Sequence, residues 1–400
     1  MKTPYFSIVI PTKGRSFLVG GAIESALRQT FTDLEVIVAD NDEGNATRDV
    51  VAKFKDPRLR YHRTGNLSMP DNWETACAQA RGEYLLLLED KQALKFRALE
   101  RIHGETEKSR PECLRWMMDW MDDIGPTKFI IQHKGTGIAQ RLDPEAILKS
   151  FVQIGLSSVS KTLPIGHYSG LSRTLLNRIK AGPMQRLVPP VCPDYMLAFL
   201  ALAYTDSVVA FDEALGASSQ KHSNGRSFVL KTGNLRGQFL SELGGRDSIF
   251  FDLVPVKAPI VPGVIYNDYL HVREKVGGRL DKFPLHWPAY FVETYQFIVG
   301  CHENGVNMDD ERAAWQVAFD QQPAGVREAT QDLLAESKPQ WRKQLHSLFK
   351  GVRRKTGLLK LESNLKMQFR RVTGRKMAGR FQSVLEYVEW EHTHQTAAKD

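Results

Sequence analysis

The apolar run YLLLL at 84–88 ends in Glu89, Asp90 and Lys91. Adjacent acids at a strand end suit a divalent cation, yet an ion held by oxygen ligands normally recruits more than one carboxylate. Neighbouring strand side chains point to opposite faces, so Glu89 and Asp90 meet at one ion only through a local turn. The lysine that follows offers the opposite chemistry, because an ammonium can stabilise negative charge on phosphate oxygens where a metal otherwise would. A solvated turn lysine is the plain alternative, and the residues by themselves leave all three readings open.

The elements that must position this corner are legible upstream. FSIVIPT (6–12), LEVIVAD (34–40), LRYHRT (59–64) and EYLLLLE (83–89) read as strands, separated by helices over 20–29, 46–54 and 72–80. Strands alternating with helices predict a parallel sheet covered by helices, and near-continuous apolar strands predict burial on both faces. In such sheets ligands bind at the carboxyl ends of the strands. That rim comprises Pro11, Thr12, Lys13 and Arg15, then Asp40 and Asn41, then Arg63, and finally Glu89, Asp90 and Lys91. A carboxylate at position 40 can accept from an imide N–H or a ribose hydroxyl, or can simply bond its own turn. Asp71 or Asn72 reads as the N-cap of the third helix, with Trp73 packed beneath.

Three segments, SIVIPTKGR at 7–15, DLEVIVADN at 33–41 and NLSMPDNWETACAQARGEY at 66–84, resemble family 2 glycosyltransferases of the GT-A fold in order and spacing. The resemblance covers 5–100 well and 160–225 loosely. It implies an α/β, Rossmann-like and mostly parallel sheet flanked by helices, a nucleotide-sugar donor, and sugar transfer with inversion to a carbohydrate or lipid-linked acceptor. On that basis Pro11, Thr12 and Arg15 fall where the family contacts base and ribose, Asp40 where it holds the base, and Asn72 at a helix start facing the donor. Glu89 and Asp90 fall at the family's acidic cluster, whose last acid binds Mn2+ or Mg2+. Gly82-Glu83-Tyr84 matches the family's approach to that cluster and Asp90 its first acid, but Lys91 and Gln92 replace the acids that should follow. Metal dependence is therefore expected to be weak or absent. Asp90 is the ligand if a metal is used; otherwise Lys91 supplies the charge, assisted by Lys13, Arg15, Lys221 or Arg226.

Asp194, in VCPDY, fits the order in which the family places the base that takes the acceptor proton. An acid in a first helical turn also stabilises the helix dipole, which lowers its pKa and weakens it as a base. His167, in PIGHYSG, and His222 with Arg226 are further candidates for diphosphate or acceptor. The rival reading is a non-catalytic nucleotide-sugar binder that lost its metal site.

The rest of the chain bounds these readings. With 400 residues, 42% of them hydrophobic and 25% charged, the chain has the composition of a globular protein with room for more than one domain. The divisions expected are a donor-binding and catalytic unit over 1–228, a mainly helical region over 229–337 and a basic amphipathic tail over 338–400. Four scattered cysteines without a C-x-x-C pair argue against a zinc or disulfide framework and for a cytoplasmic setting. Residues 338–380 hold fourteen Lys and Arg against one acid, although the whole chain carries only +8. Apolar positions at helical spacing within that stretch fit an anionic membrane surface or packing on the protein itself. Nucleic acid is disfavoured, because no recognised binding module accompanies the charge. The segment 118–123 is expected at a loop edge, and 216–227 as a polar mobile stretch.

Overall fold

Strands without a polar face can only be built into a sheet covered on both sides. The computed structural model describes residues 3–124, 128–229, 235–242, 247–337, 377–378 and 381–397. Its first strands are β1 (Phe6–Thr12), β2 (Leu34–Asp40), β3 (Leu59–Arg63) and β4 (Tyr84–Leu87), all parallel in the order β3-β2-β1-β4. β1, β2 and β4 are buried along their whole length, and β3 lies half-exposed at the edge. Helices α1 (Ser16–Leu27), α2 (Ala46–Val51) and α3 (Met69–Ala78) make the crossovers. A glycine is required at 82, since a Cβ there would sit 2.6 Å from the Ser7 backbone nitrogen.

Beyond β4 the sheet turns antiparallel. β5 (Gln92–Leu94), α4 (Ala98–Ser109), β6 (Cys113–Asp122), β7 (Phe129–Ile131), β8 (Ala139–Leu142), α5 (Pro144–Gln153), β9 (Ser169–Ser172), α6 (Arg173–Ala181), α7 (Pro193–Tyr204) and β10 (Val208–Ser219) follow in sequence. β9 joins β4 to β6, and β10 lies parallel to β6 and antiparallel to β5 and β8. The mixed sheet therefore has a parallel half that carries the rim and a largely antiparallel half beside it.

The later chain is helical, as the sequence suggests: α8 (Asn224–Val229), α9 (Leu235–Glu242), α10 (Val261–Val276), α11 (Trp287–Glu303), α12 (Asp309–Asp320) and α13 (Ala324–Ser337). α10 to α12 do not stand apart. Tyr266, Tyr269 and Tyr290 share one core with Phe151 of α5 and Phe199 of α7. The chain finally returns to the sheet through β11 (Met377–Ala378), which pairs with β7, and α14 (Val384–Ala397). Phe381, Val384, Tyr387 and Val388 pack there on Ala93, Phe96, Met121, Ile130 and Ala217. Most of the basic stretch 338–380 lies outside the described residues, and among the described residues no helix is long and apolar enough to cross a membrane.

Four local expectations change. α1 starts at Ser16 rather than 20, and α3 at Met69 rather than 72. Ser68 is the N-cap of α3: its hydroxyl accepts the Asp71 N–H and donates to the Asp71 carboxylate, so neither Asp71 nor Asn72 caps. The 118–123 segment is not a loop edge, because residues through Asp122 complete the buried strand β6 and Asp119 is neutralised by Lys95 at 2.9 Å. Residues 216–219 are not a mobile stretch. They finish β10, where Ala217 and Ser218 are fully buried.

Candidate active site

β1 ends at Thr12, and the chain leaves it through Gly14, whose φ of +65° is a conformation that favours glycine. That turn sends Arg15 back over the rim. Its guanidinium lies 3.2 Å from Asp90 Oδ1, and Thr12 Oγ1 donates to Asp90 Oδ2 at 2.8 Å. Arg15 also bonds Asn224 of α8, while Lys13 reaches Glu242 of α9 at 2.8 Å. The 224–242 helices thus lie against the tip of β1.

Glu89 lies beside Asp90 in the turn that follows β4, but its carboxylate takes different partners. Its Oε2 is 2.7 Å from Lys91 Nζ and accepts from Gln92 Nε2 at 3.0 Å. His167 Nε2 approaches the same oxygen at 3.9 Å, and the other ring nitrogen of His167 lies 3.5 Å from Asp194 Oδ2. Lys91, Glu89, His167 and Asp194 form one line of charged and polar groups drawn from three separated stretches. Glycine at 166 permits it, since a Cβ there would come within 3.2 Å of Asp194 Cα.

The electrostatics differ along this line. Burial pushes the Glu89 carboxyl up, but Lys91 and His167 outweigh it and hold the group at about 2. Burial raises Asp194, helped by Glu89 and opposed by His167 and by the backbone N–H groups of its own helix start. The depression expected from the helix dipole is therefore overturned by desolvation, and Asp194 becomes a stronger base than its position in α7 alone would make it. His167 is lowered by burial and stands neutral near pH 7. Asp90 is raised, also by burial, in spite of Arg15 and Thr12.

The donor-side candidates separate. Asp40 is fully buried, with its carboxylate taken by the Tyr61 hydroxyl at 2.6 Å and the Asp42 N–H at 3.1 Å. Asn72 is buried and accepts from the Thr64 hydroxyl at 2.7 Å. Pro11 lies inside β1, paired with Ala39. Asn41 clamps the 64–68 turn, accepting from the Leu67 N–H at 2.7 Å and donating to the Leu67 carbonyl at 2.8 Å. His222 is half-buried, its ring 5.4 Å from that of the exposed Phe17. The Arg226 side chain lies outside the description.

Residues not singled out from sequence complete the surroundings. Arg115 of β6 is buried, donates to the carbonyls of Leu163 and Ser160, and lies 5.3 Å over the Tyr168 ring. A guanidinium inside the apolar run CLRWMM was the available signal. Asp268 of α10 bonds the backbone at the start of α7, in a region where the sequence offers only helical periodicity.

Residues 7–179 match the family model described as glycosyl transferase family 2. That match spans less than half of the chain, and over it the chain is similar to glycosyl transferase family 2. The family 2 region accounts for the parallel half of the sheet, the rim and His167, while Asp194 lies just beyond it. Over 103 residues the chain is 33% identical to a GalNAc(5)-diNAcBac-PP-undecaprenol beta-1,3-glucosyltransferase of Campylobacter jejuni, a match covering 25% of this chain and 33% of that one. Over 109 residues it is 31% identical to chondroitin synthase of Escherichia coli, covering 27% of this chain and 16% of that one. The matches thus span a third or less of these curated relatives. Among solved structures, S. aureus TarS 1-349 in complex with UDP covers 84% of this chain and 91% of its own at 16% identity and a TM-score of 0.44. The mannosyltransferase PcManGT of Pyrobaculum calidifontis, in complex with GDP-Man and Mn2+, covers 90% and 89% at 12% identity and a TM-score of 0.44.

Proposed function

We propose that this chain is a glycosyltransferase that moves one sugar, with inversion, from a nucleotide-sugar donor to a carbohydrate or lipid-linked acceptor. The observation that carries the reading is the placement of Asp194 beside His167 and Glu89 at the carboxyl rim of the family 2 sheet, with burial raising its basicity. Asp194 takes the proton of the acceptor hydroxyl as its oxygen attacks the anomeric carbon, and the bond from that carbon to the diphosphate oxygen breaks. An assembled base argues for catalysis over the binding-only alternative, which has no use for one.

The departing diphosphate needs positive charge. The rim acids are poorly arranged for a metal: Asp90 is spent on Thr12 and Arg15, and Glu89 on Lys91 and Gln92. Among the described residues no group of three or more His, Cys, Asp or Glu is placed to hold one. Lys91 is this chain's own candidate for the charge, with Arg15 beside it. Both are ion-paired, so each serves only by exchanging its acid for a phosphate oxygen.

The name of the C. jejuni relative specifies an undecaprenol diphosphate-linked substrate. A similar acceptor here would suit a cytoplasmic protein held at the membrane surface through the basic stretch 338–380. The deciding experiment measures release of nucleoside diphosphate from UDP-glucose, UDP-N-acetylglucosamine and GDP-mannose, with Mn2+ and with EDTA. Activity that survives EDTA but is lost in Lys91→Ala and Asp194→Asn supports the reading. Turnover surviving in Asp194→Asn removes the base, and a strict Mn2+ requirement removes the role of Lys91.

A further inference from the structure

The start of α7 is held from outside the catalytic sheet. Asp268, in the middle of α10, is fully buried. Its Oδ2 accepts the Cys192 N–H at 2.8 Å and its Oδ1 the Val191 N–H at 3.3 Å. Cys192 is the N-cap of α7, but its own side chain makes no cap bond. The N–H groups of the cap and of the residue before it are therefore held by a side chain 76 residues downstream of the cap. Asp194 follows two residues after Cys192, and on the opposite side its backbone rests against Gly166.

We propose that Asp268 is a positioning residue for the acceptor base: by gripping the Val191 and Cys192 amides it fixes the first turn of α7 and aims the Asp194 carboxylate at His167 and the acceptor. The inference rests on the proposed role of Asp194. It assigns a catalytic purpose to a helix of the 229–337 region that packing alone does not require. An aliphatic side chain at 268 would fill the core as well, whereas the pair of bonds made by Asp268 sets the angle at which Pro193 enters the helix.

The test compares wild type, Asp268→Ala, Asp268→Asn and Asp194→Asn, all as full chains held well below their melting temperatures. Diphosphate release is followed with the member of the donor panel that wild type turns over best, and donor affinity is read by calorimetry. Asp268→Ala is expected to lose at least about tenfold in kcat with donor Kd unchanged within twofold. Asp268→Asn, whose amide oxygen still accepts the Cys192 N–H but which loses the acceptor for Val191, is expected to recover part of that loss and to stand roughly threefold below wild type. Wild-type kcat in Asp268→Ala, or a parallel loss of donor affinity showing general collapse of the site, overturns the proposal. If the alanine variant does not fold, Asp268→Asn decides: a roughly threefold fall in kcat at constant Kd upholds the proposal and an unchanged kcat overturns it. Turnover surviving in Asp194→Asn defeats the base assignment itself. An inactive Asp194→Asn beside an unaffected Asp268→Ala defeats only the positioning role.

Discussion

His167 Nδ1 lies 3.5 Å from Asp194 Oδ2, buried and with no hydrogen-bond partner of its own. This closeness makes the imidazole a direct side-chain influence on Asp194. Burial keeps His167 lowered against Glu89 and Asp194, which raise it, while Lys91 and Arg115 lower it further. Asp194 in turn is raised by burial and restrained by His167. Removing the ring should therefore let the Asp194 pKa climb. In His167→Ala the acid limb of the kcat profile is expected to move to higher pH, with kcat at pH 7 falling roughly tenfold. His167→Asn, which keeps a polar edge, should show a smaller shift. An unmoved limb in both variants would separate His167 from the base.

Lys91 and Glu89 are both largely buried, at 7% and 18% exposure. Breaking such a pair strands a charge, so Lys91→Ala is expected to cost on the order of 3 kcal/mol at neutral pH, measured by urea unfolding. The Lys91→Ala, Glu89→Gln double variant should recover much of it. The sign with pH follows from Glu89, which is held at about 2, below its ordinary 4.5. Its contribution is complete above about pH 4.5 and is lost as pH falls through 2. If Lys91 also serves the diphosphate, the double variant will be stable yet inactive.

Much of this site was legible before the fold. Apolar strands marked the rim, but strand alternation did not govern Glu89 and Asp90, because β4 ends at Leu87 and a turn carries both acids, one with Lys91 and His167 and the other with Arg15. Tertiary partners stayed hidden. Asp40 reads as a ligand for a base, and nothing in its own strand reveals that Tyr61, on the neighbouring strand, bonds it. Asn72 reads as a helix start because the cap, Ser68, lies one turn earlier, ahead of a proline that itself suits a first turn. Asp119 suggested a loop because its partners lie elsewhere in the sequence: Lys95, and a helix more than 250 residues on. Asp268 carried no local signal at all, since its bonds are to backbone amides in another element.

Asp90 and Asp194 are both raised by burial, whereas Glu89 stays ionised. As pH falls, the first two gain protons and the rim loses negative charge. A nucleotide-sugar, whose diphosphate diester keeps its charge, should then bind more tightly. Donor Kd is expected to improve as pH falls from neutral into the range where these raised acids gain protons, while kcat declines as Asp194 is protonated. Calorimetry beside initial rates over this range would reveal the opposed slopes. In Asp90→Asn the gain in affinity on acidification should shrink, because one of the two titrating groups is gone. Parallel slopes in wild type would exclude these acids from the donor seat.

The C-terminal helix offers a separate check on how the basic stretch is anchored. The Tyr387 hydroxyl of α14 donates to Asp119 Oδ2 at 2.7 Å, and Lys95 Nζ sits between Asp119 at 2.9 Å and Glu391 at 2.6 Å. Lys95 directly follows β5, the strand reached from Lys91, so α14 braces the far side of the rim. Tyr387→Phe removes the hydroxyl from a buried carboxylate and is expected to cost about 1–2 kcal/mol in thermal or urea unfolding. A chain shortened at 337 loses all of α14 and uncovers Phe96, Met121 and Ala217, so its melting temperature should fall much further than that of the point variant. Replacing the Lys and Arg of 338–376 by serine, with α14 kept, should leave the melting temperature near wild type. If flotation on vesicles containing phosphatidylglycerol is lost in that serine variant but kept in Tyr387→Phe, membrane attachment belongs to the basic stretch and fold stability to the helix behind it. Equal flotation of wild type and the serine variant would remove the membrane role, whatever the stability data show.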